Sequence, residues 1–298
     1  MQQPGTPSLD QLNVFLTVVE TGSFAAAARR LGRATSAVSY AIANLELQLG
    51  TSMFDRESTR KPRLTEAGRA VLSEARSVAL GIDNLRAKVK GLLQGLEAEV
   101  ALAVDVMLPT VRLVDAMQAF EAQFPTVSLC LHVEALGAVT QLVQSGVATI
   151  GVSGPLVVRI PGIERLEIGG VDLVPVAAPQ HPLADSRANA PGVARDHVQL
   201  VLSDRSSLTE GYEVGVVSFR TWRLADLGAK HALLLAGVGW GNMPEPMVRA
   251  DLAAGRLKRL DLPDWKGGFC AFQIIHRTDT PPGPAAAWLI QRFVSQNA

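Results

Sequence analysis

The chain has 298 residues, 48% of them apolar and 19% charged, which provides for two or three compact domains with their own cores and excludes a disordered polymer. Its 28 basic and 28 acidic side chains cancel overall but not locally: residues 1–95 hold 12 Lys and Arg against 8 Asp and Glu, leaving 16 against 20 in the remainder. A basic amino-terminal module joined to an acidic body points toward nucleic acid at one end.

Cys130 and Cys270 both sit in apolar runs, SLCLHV and GFCAFQII, and two thiols make no disulfide framework. They read as buried small hydrophobes of a reducing compartment. Met1–Pro7 lacks the basic start and apolar run of an export signal. The longest uncharged run, Ala135 to Val158, is broken by Gly137, Gly146, Gly151, Gly154 and Pro155, so it reads as short buried elements rather than a membrane span. A cytoplasmic protein with no membrane partner is expected.

Leu9, Leu12, Leu16 and Val19, with Phe15 beside them, mark one face of an amphipathic helix over Leu9 to Glu20. Thr21-Gly22 ends it, and Ser23 caps an alanine-rich second helix from Phe24 to Leu31. Gly32 supplies the sharp turn into a third helix that begins near Thr35 or Ser36. Val38, Ile42, Leu45 and Leu49 form the buried stripe of that helix, while Thr35, Ser36, Ser39, Tyr40, Ala43 and Asn44 form its opposite face. Such a face is short, polar and uncharged, suited to base edges and phosphate oxygens at close range. Arg29, Arg30 and Arg33 precede it and Arg56, Arg60, Lys61 and Arg63 follow, placed to clamp phosphates on either side of a major groove. Phe54 to Leu64 reads as a short basic hairpin, the wing of a winged helix-turn-helix; a three-helix interaction domain with a solvated basic loop is the bland alternative.

Thr65 to Leu93 reads as one long helix without proline. Leu72, Ala75, Ala79, Ile82, Val89 and Leu93 lie on a heptad-like seam, broken by Arg86 and flanked by Leu85 and Leu92. An apolar stripe on a helix between domains needs a partner: a second copy, or, alternatively, the chain's own body. The expected domains are therefore residues 1–64, a linker helix over 65–94, and a body over 95–298.

In the body the pattern alternates between short strands and helices. Strands are expected near Val100–Val106, Val127–Val133 and Ala148–Val152, with helices at Thr110–Phe124 and Val139–Gln144, implying right-handed crossovers and a parallel sheet. Pro155 to Gly162 leads to a second lobe with strands near Ile163–Ile168, Val171–Ala178 and Val198–Leu202, and helices near Leu224–Ala236 and Glu245–Ala253. Trp265 to Phe269 returns the chain to a strand over Phe269–His276 and a closing helix over Ala285–Val294. Lobe I is thus about residues 95–160 and 268–298, and lobe II about 161–267. Two lobes with two crossings make a cleft that closes on a small ligand. Its candidate lining comes from the loops after strands: Asp105, Val106 and Met107; Leu136 and Gly137; Ser203, Asp204 and Arg205; Trp222, Arg223 and Asp226. A carboxylate at Asp105 favours an effector offering a donor or a cation, unless it caps the next helix.

Catalytic chemistry finds little support. His132, His181, His197, His231 and His276 are scattered outside metal or nucleophile motifs, and Ser203-Asp204 is not a nucleophile elbow. Gly237-Val238-Gly239-Trp240-Gly241 follows a helical pattern rather than a strand, so it fails as a dinucleotide loop. No metal or cofactor is expected.

The chain resembles the LysR-type transcriptional regulators. The resemblance is carried by L-x-x-F-L-x-V-V-E-x-G-S-F (Leu12 to Phe24), A-A-x-x-L (Ala27 to Leu31), A-V-S-x-x-I-x-x-L-E-x-x-L-G (Ala37 to Gly50), F-x-R (Phe54 to Arg56) and R-L-T-E-A-G (Arg63 to Gly68). Farther on, F-x-x-x-F-P (Phe120 to Pro125), H-P-L-A (His181 to Ala184) and A-G-V-G-W-G-x-M-P-E (Ala236 to Glu245) extend it over nearly the whole length. It implies an all-α winged helix-turn-helix, a linker helix paired with that of a second subunit, and a periplasmic-binding-protein-like α/β effector domain. Implied partners are double-stranded DNA, a small-molecule effector, and further copies in a homodimer or homotetramer. Many relatives have a proline at the position of Ser36, a basic residue at Tyr40 and an apolar one at Arg33, so the preferred base sequence does not carry over. A two-lobed binding protein or enzyme with an accessory interaction domain is the alternative.

Overall fold

The computed structural model describes residues 5–55, 62–155, 160–185, 190–203, 206, 208 and 215–296. The chain divides into two compact units at Lys90/Gly91.

The first unit holds α1 (Leu9–Thr21), α2 (Phe24–Leu31), α3 (Thr35–Leu49) and most of α4 (Glu66–Leu93). Ser8 starts α1 in a reciprocal capping box with Gln11, and Ser23 caps α2 by accepting the Ala26 N–H. Gly32 ends α2 in the left-handed region at φ 65, matched among the described residues of the head only by the glycines Gly22 and Gly50. The core joins Val14, Phe15 and Val18 of α1, Ala27 and Ala28 of α2, and Val38, Ile42 and Leu45 of α3. Met53, Phe54 and Ala75 complete it, with the Phe54 ring 5.6 Å from Phe15 and 5.5 Å from Phe24. Each large side chain so buried contributes about 1.5–3 kcal/mol.

The base of the expected wing is present. Phe54 and Leu64 face each other across an antiparallel bridge; the Asp55 N–H donates to the Arg63 carbonyl at 2.8 Å and the Thr65 N–H to Met53 at 3.0 Å. Arg56, Arg60 and Lys61 lie outside the described residues. Thr65 accepts the Gly68 N–H and so starts α4. A Cβ at Gly68 would stand 2.2 Å from the Met53 carbonyl oxygen, which explains why the helix can lie against the base of the wing.

The second unit is built on one mixed sheet. In chain order it contains β1 (Glu99–Asp105), α5 (Thr110–Gln123), β2 (Ser128–Glu134), α6 (Gly137–Gln144), β3 (Ile150–Ser153) and β4 (Ile163–Ala177). Then come β5 (Gln199–Leu202), β6 (Thr221–Leu224), α7 (Leu227–Leu235), β7 (Trp240–Pro244), α8 (Glu245–Ala253), β8 (Lys258–Arg259), β9 (Gly268–Arg277) and α9 (Pro284–Ser295). Strand order is β2-β1-β3-β9-β4-β7-β5-β6, with β8 beside β4. The parallel pairing expected for the first three strands holds, and the sheet as a whole is mixed. β1, β2 and β3 are parallel to one another, as are β5, β6 and β7, but β9 runs antiparallel to β3 and β4, and β4 antiparallel to β7.

The two crossing segments are these long strands. β4 was expected as two strands; it is one, bulged between Glu167 and Gly170. The close approach of the Cys270 carbonyl, 2.2 Å from where a Cβ on Gly170 would stand, accounts for the glycine there. Arg112 on α5 ties the bulge down, donating to the Ile168 carbonyl at 3.2 Å and to the Phe293 carbonyl near the end of α9 at 3.3 Å. Lobe I packs around Val100, Leu102, Phe120, Ile150, Phe272 and Phe293, and Glu97 accepts the Ala285 and Ala286 N–H groups at the start of α9. In lobe II only Gln199 and Trp240 are in register between β5 and β7. Beyond that pair the Lys230 ammonium donates to the Asn242 carbonyl at 2.7 Å, and burial lowers its pKa to about 8. No helix among the described residues is long and apolar enough to cross a membrane.

Replacing Gly68 with Ala should destabilise the amino-terminal unit by about 1–3 kcal/mol through overpacking against Met53. Denaturant unfolding followed by circular dichroism checks this; an unchanged midpoint would contradict the close packing.

Candidate functional site

Helix α3 divides its residues sharply. Val38, Ile42 and Leu45 are buried, while Thr35, Ser36, Ser39, Tyr40 and Ala43 are exposed and Asn44 is half-buried. Leu49, expected in the buried stripe, is instead exposed, because the helix turns out of the core in its last turn. The amino end of α3 is also distinct from those of α1 and α2. Its N-cap is Ala34, which makes no side-chain cap, so the first-turn N–H groups of Thr35 and Ser36 face outward without one. An uncapped helix start attracts anions.

Exposed basic side chains flank α3 in the sequence: Arg29, Arg30 and Arg33 before it and, from the base of the wing, Arg63 after it. Two of them are held by carboxylates of α1. Arg30 pairs with Glu20 at 2.9 Å, and Arg33 makes a two-pronged pair with Asp10 at 2.8 and 2.7 Å. That contact holds Asp10 below the usual carboxylate range. Sequence reasoning also missed Glu46. On the inner side of α3, its Oε1 accepts the Met53 N–H at 2.6 Å and the Phe54 N–H at 3.3 Å, fixing the base of the wing to this helix. The signal was the L-E-x-x-L-G motif itself, where a carboxylate among apolar residues needed a partner.

The linker helix changes partner along its length. Leu72, Ala75 and Ala79, expected on an intersubunit seam, pack with Val71 into the core of the head. Farther along, Val78, Leu85, Val89, Leu92 and Leu93 are exposed and Ile82 is half-buried. Val78, Ile82, Leu85, Val89 and Leu92 are spaced by alternating steps of four and three residues, a heptad seam in which Leu85 and Leu92 stand instead of Arg86 and Leu93.

In the second unit, Asp105 ends β1 at 1% exposure. Its Oδ1 accepts the Met107 N–H at 2.8 Å and its Oδ2 the Leu136 N–H at 2.9 Å. Leu136 has φ 50, the one non-glycine residue with positive φ among those described, and it immediately precedes α6. Asp105 thus joins two loops and holds a backbone conformation that costs on the order of 1–3 kcal/mol. It does not cap the next helix, α5, whose N-cap is Pro109 with no side-chain cap; it braces the two loops instead. Val106, Met107 and Leu136 then pack with Ala135 against Leu200, Leu202, Leu224 and Leu227 of lobe II, forming an apolar floor between the lobes. Gly137 is buried in the first turn of α6, and Ser203 is half-buried just after β5.

The remaining candidates stand apart. Trp222 and Arg223 were expected on a loop, but they are exposed on β6, the outer edge strand beyond β5. Asp226 caps α7 by accepting the Ala229 N–H at 2.6 Å. Asp204 and Arg205 lie outside the described residues. Burial, and then the Asp105 charge, push the Cys270 thiol up to about 12, so it stays protonated and unreactive at neutral pH. Among the described residues no cluster of three or more His, Cys, Asp or Glu side chains is arranged to hold a metal ion.

A polar helix turned away from its own core serves contact with another molecule, and its groove-sized face with basic flanks suits DNA. Joined to a two-lobed α/β unit, it defines the class of DNA-binding regulators that answer to a small molecule. Residues 9–69 match the bacterial regulatory helix-turn-helix protein model of the lysR family, and residues 93–298 match the LysR substrate binding domain. The chain belongs to the LysR family of transcriptional regulators.

Among curated relatives, the HTH-type transcriptional regulator AceR of Acinetobacter baumannii is 26% identical over 283 residues, covering 94% of each chain. Full-length LysG of Corynebacterium glutamicum with bound effector Arg superposes with TM-score 0.51 at 21% identity, over 97% of each chain. DarR of Vibrio fischeri in complex with DNA gives TM-score 0.51 at 19% identity, over 97% of this chain and 99% of that one. These likenesses establish the shared fold: an all-α winged helix-turn-helix with its long helix, followed by a two-lobed α/β effector-binding domain.

Asp105→Asn should lower the stability of the effector-binding domain by about 1–3 kcal/mol, since an amide offers one acceptor oxygen to two buried N–H groups. Chemical denaturation checks it, and a variant as stable as the parent would contradict the role given to this carboxylate.

Proposed function

We propose that the regulator binds DNA through the outer face of α3, with Thr35, Ser36, Ser39, Tyr40 and Asn44 at the bases and nearby phosphates. Arg29, Arg30, Arg33, Arg56, Arg60, Lys61 and Arg63 contact the flanking backbone. The observation that carries this reading is the exposed, uncharged face of α3 leading from an uncapped amino end. Short polar side chains let the helix sink close to base edges, while the helix start and the arginines attract phosphates.

The protein works in this proposal as a homodimer or a higher assembly built through α4. Support comes from the exposed seam of Val78, Ile82, Leu85, Val89 and Leu92, which leaves apolar surface on a helix whose first turns are already used by the head. Pairing two such helices presents two heads to a two-fold DNA site. A small-molecule effector enters between the lobes, over Val106, Met107, Leu136 and Gly137 on one side and Ser203, Asp204 and Arg205 on the other. Asp105 acts there by shaping the loops. Trp222, Arg223 and Asp226 lie at or just after the edge strand and belong to the lobe II rim of the proposal. Closure of the lobes would alter the spacing of the heads and the bending of DNA.

In mobility-shift titrations on the gene's own upstream region, Ser39→Ala should weaken binding about fivefold or more through loss of a base-edge or phosphate contact. Arg29→Ala should weaken binding to every sequence and reduce the salt slope by about 0.9. If neither variant weakened binding, the α3 reading would fail. Leu85→Asp, a charge on a side chain that is 62% exposed in the single chain, should leave the fold intact but shift sedimentation toward monomer. An unchanged sedimentation coefficient would remove the seam from the assembly.

A further inference from the structure

The basic end of the reading head is partly neutralised by the head itself. Arg33 lies in the turn between α2 and α3, two residues before the first residue of α3. Its Nη1 and Nη2 donate to the two oxygens of Asp10, 23 residues away in the chain, at 2.8 and 2.7 Å. A fork-to-fork pair of this kind uses the end of the guanidinium that would otherwise grip a phosphate, and the pair carries no net charge. Both side chains are nevertheless open to water, at 42% and 54% exposure, so the pair is only weakly held. Beside it, the amino end of α3 lacks a side-chain cap. The partner of Arg33 and the anion-attracting end of the reading helix therefore occupy the same neighbourhood.

We propose that Asp10 is a brake on DNA affinity: it occupies Arg33 in the free head and is displaced when a DNA phosphate takes over the guanidinium. Binding must exchange one ion pair for another, so Arg33 adds less to affinity than a free arginine would. This exchange rests on the DNA-binding role of α3, and it makes Asp10, which contacts no base, a setting for how tightly and how selectively the head binds. Backbone contacts strengthen binding to all sequences alike. Restraining one of them lowers non-specific retention without touching the base-reading face. Glu20 and Arg30 form a second exposed pair between α1 and the arginines that precede α3, at 2.9 Å.

The test compares the full-length chain with Asp10→Asn, Arg33→Gln and the double variant, titrated onto a labelled mixed-sequence duplex over a range of NaCl concentrations. Release of Arg33 in Asp10→Asn should tighten binding about three- to tenfold at low salt, with the slope of log K against log salt close to the parent's, because Arg33 meets the same phosphate in both complexes. In the Arg33→Gln background the same change at Asp10 should have little effect on either quantity, because the group it restrains is gone. Asp10→Glu, which keeps the charge and can still reach Arg33, should bind like the parent. Asp10→Ser, which also removes the charge, replaces Asp10→Asn if thermal melting shows that variant to be unfolded. Equal or weaker binding by the folded charge-removing variant overturns the proposal. So does a gain that persists undiminished without Arg33, which would make Asp10 a general negative charge rather than a brake on one arginine. Failure of the parent itself to bind DNA in a salt-dependent way would overturn the α3 reading instead.

Discussion

The head depends on the packing of one side of α3. Val38, Ile42 and Leu45 are buried among α1 and α2, so the helix is anchored by about 1.5–3 kcal/mol per side chain without help from its other face. Glu46 adds a polar anchor by holding the Met53 and Phe54 N–H groups. Residues 35, 36, 39, 40 and 43 are exposed and residue 44 is half-buried, so the packing of the head rests little on them. That separation explains how Ser36 and Tyr40 can depart from the residues common in relatives without endangering the fold. Arg33 departs too, but it acquires a structural neighbour in Asp10.

The same economy shapes α4. Its first turns belong to the head, where Gly68 lets the helix lie against Met53 and Ala75 enters the core. Its later turns keep Val78, Leu85, Val89 and Leu92 exposed. A continuous helix makes the orientation of the reading face dependent on whatever covers that later stripe. In the effector-binding domain, β4 and β9 likewise run through both lobes, with the bulge before Gly170 held by Arg112. Movement between lobes must be taken up near this point or in the residues that flank these strands.

Most of the head was legible in the sequence, because its helices have strong periodicity and explicit stops at Gly22, Gly32 and Gly50. Part of the expected α4 seam, Leu72, Ala75 and Ala79, packs into the head. Heptad counting cannot distinguish alanines that admit a second helix from alanines that admit the head, and Ala75 does the latter. Lobe I was read nearly complete, since its strands are short, rich in apolar residues and separated by helices. In β4, Gly169-Gly170 looked like a break between strands, whereas it is a bulge within one. β6 went unseen because TWRL is short, carries an arginine and pairs along one edge only. The loop-bracing role of Asp105 was not legible in the sequence, since it depends on the Met107 and Leu136 N–H groups, the latter 31 residues away in the chain.

If α3 enters the major groove with its polar face toward the bases, it covers guanine N7 there. Methylation protection of guanine N7 by the full-length protein on its own upstream region tests this directly, because N7 opens only into the major groove. Protected guanines are expected in two related half-sites separated by whole turns of the duplex. Stable retardation of the same DNA with every N7 left reactive in both half-sites would contradict groove entry by α3.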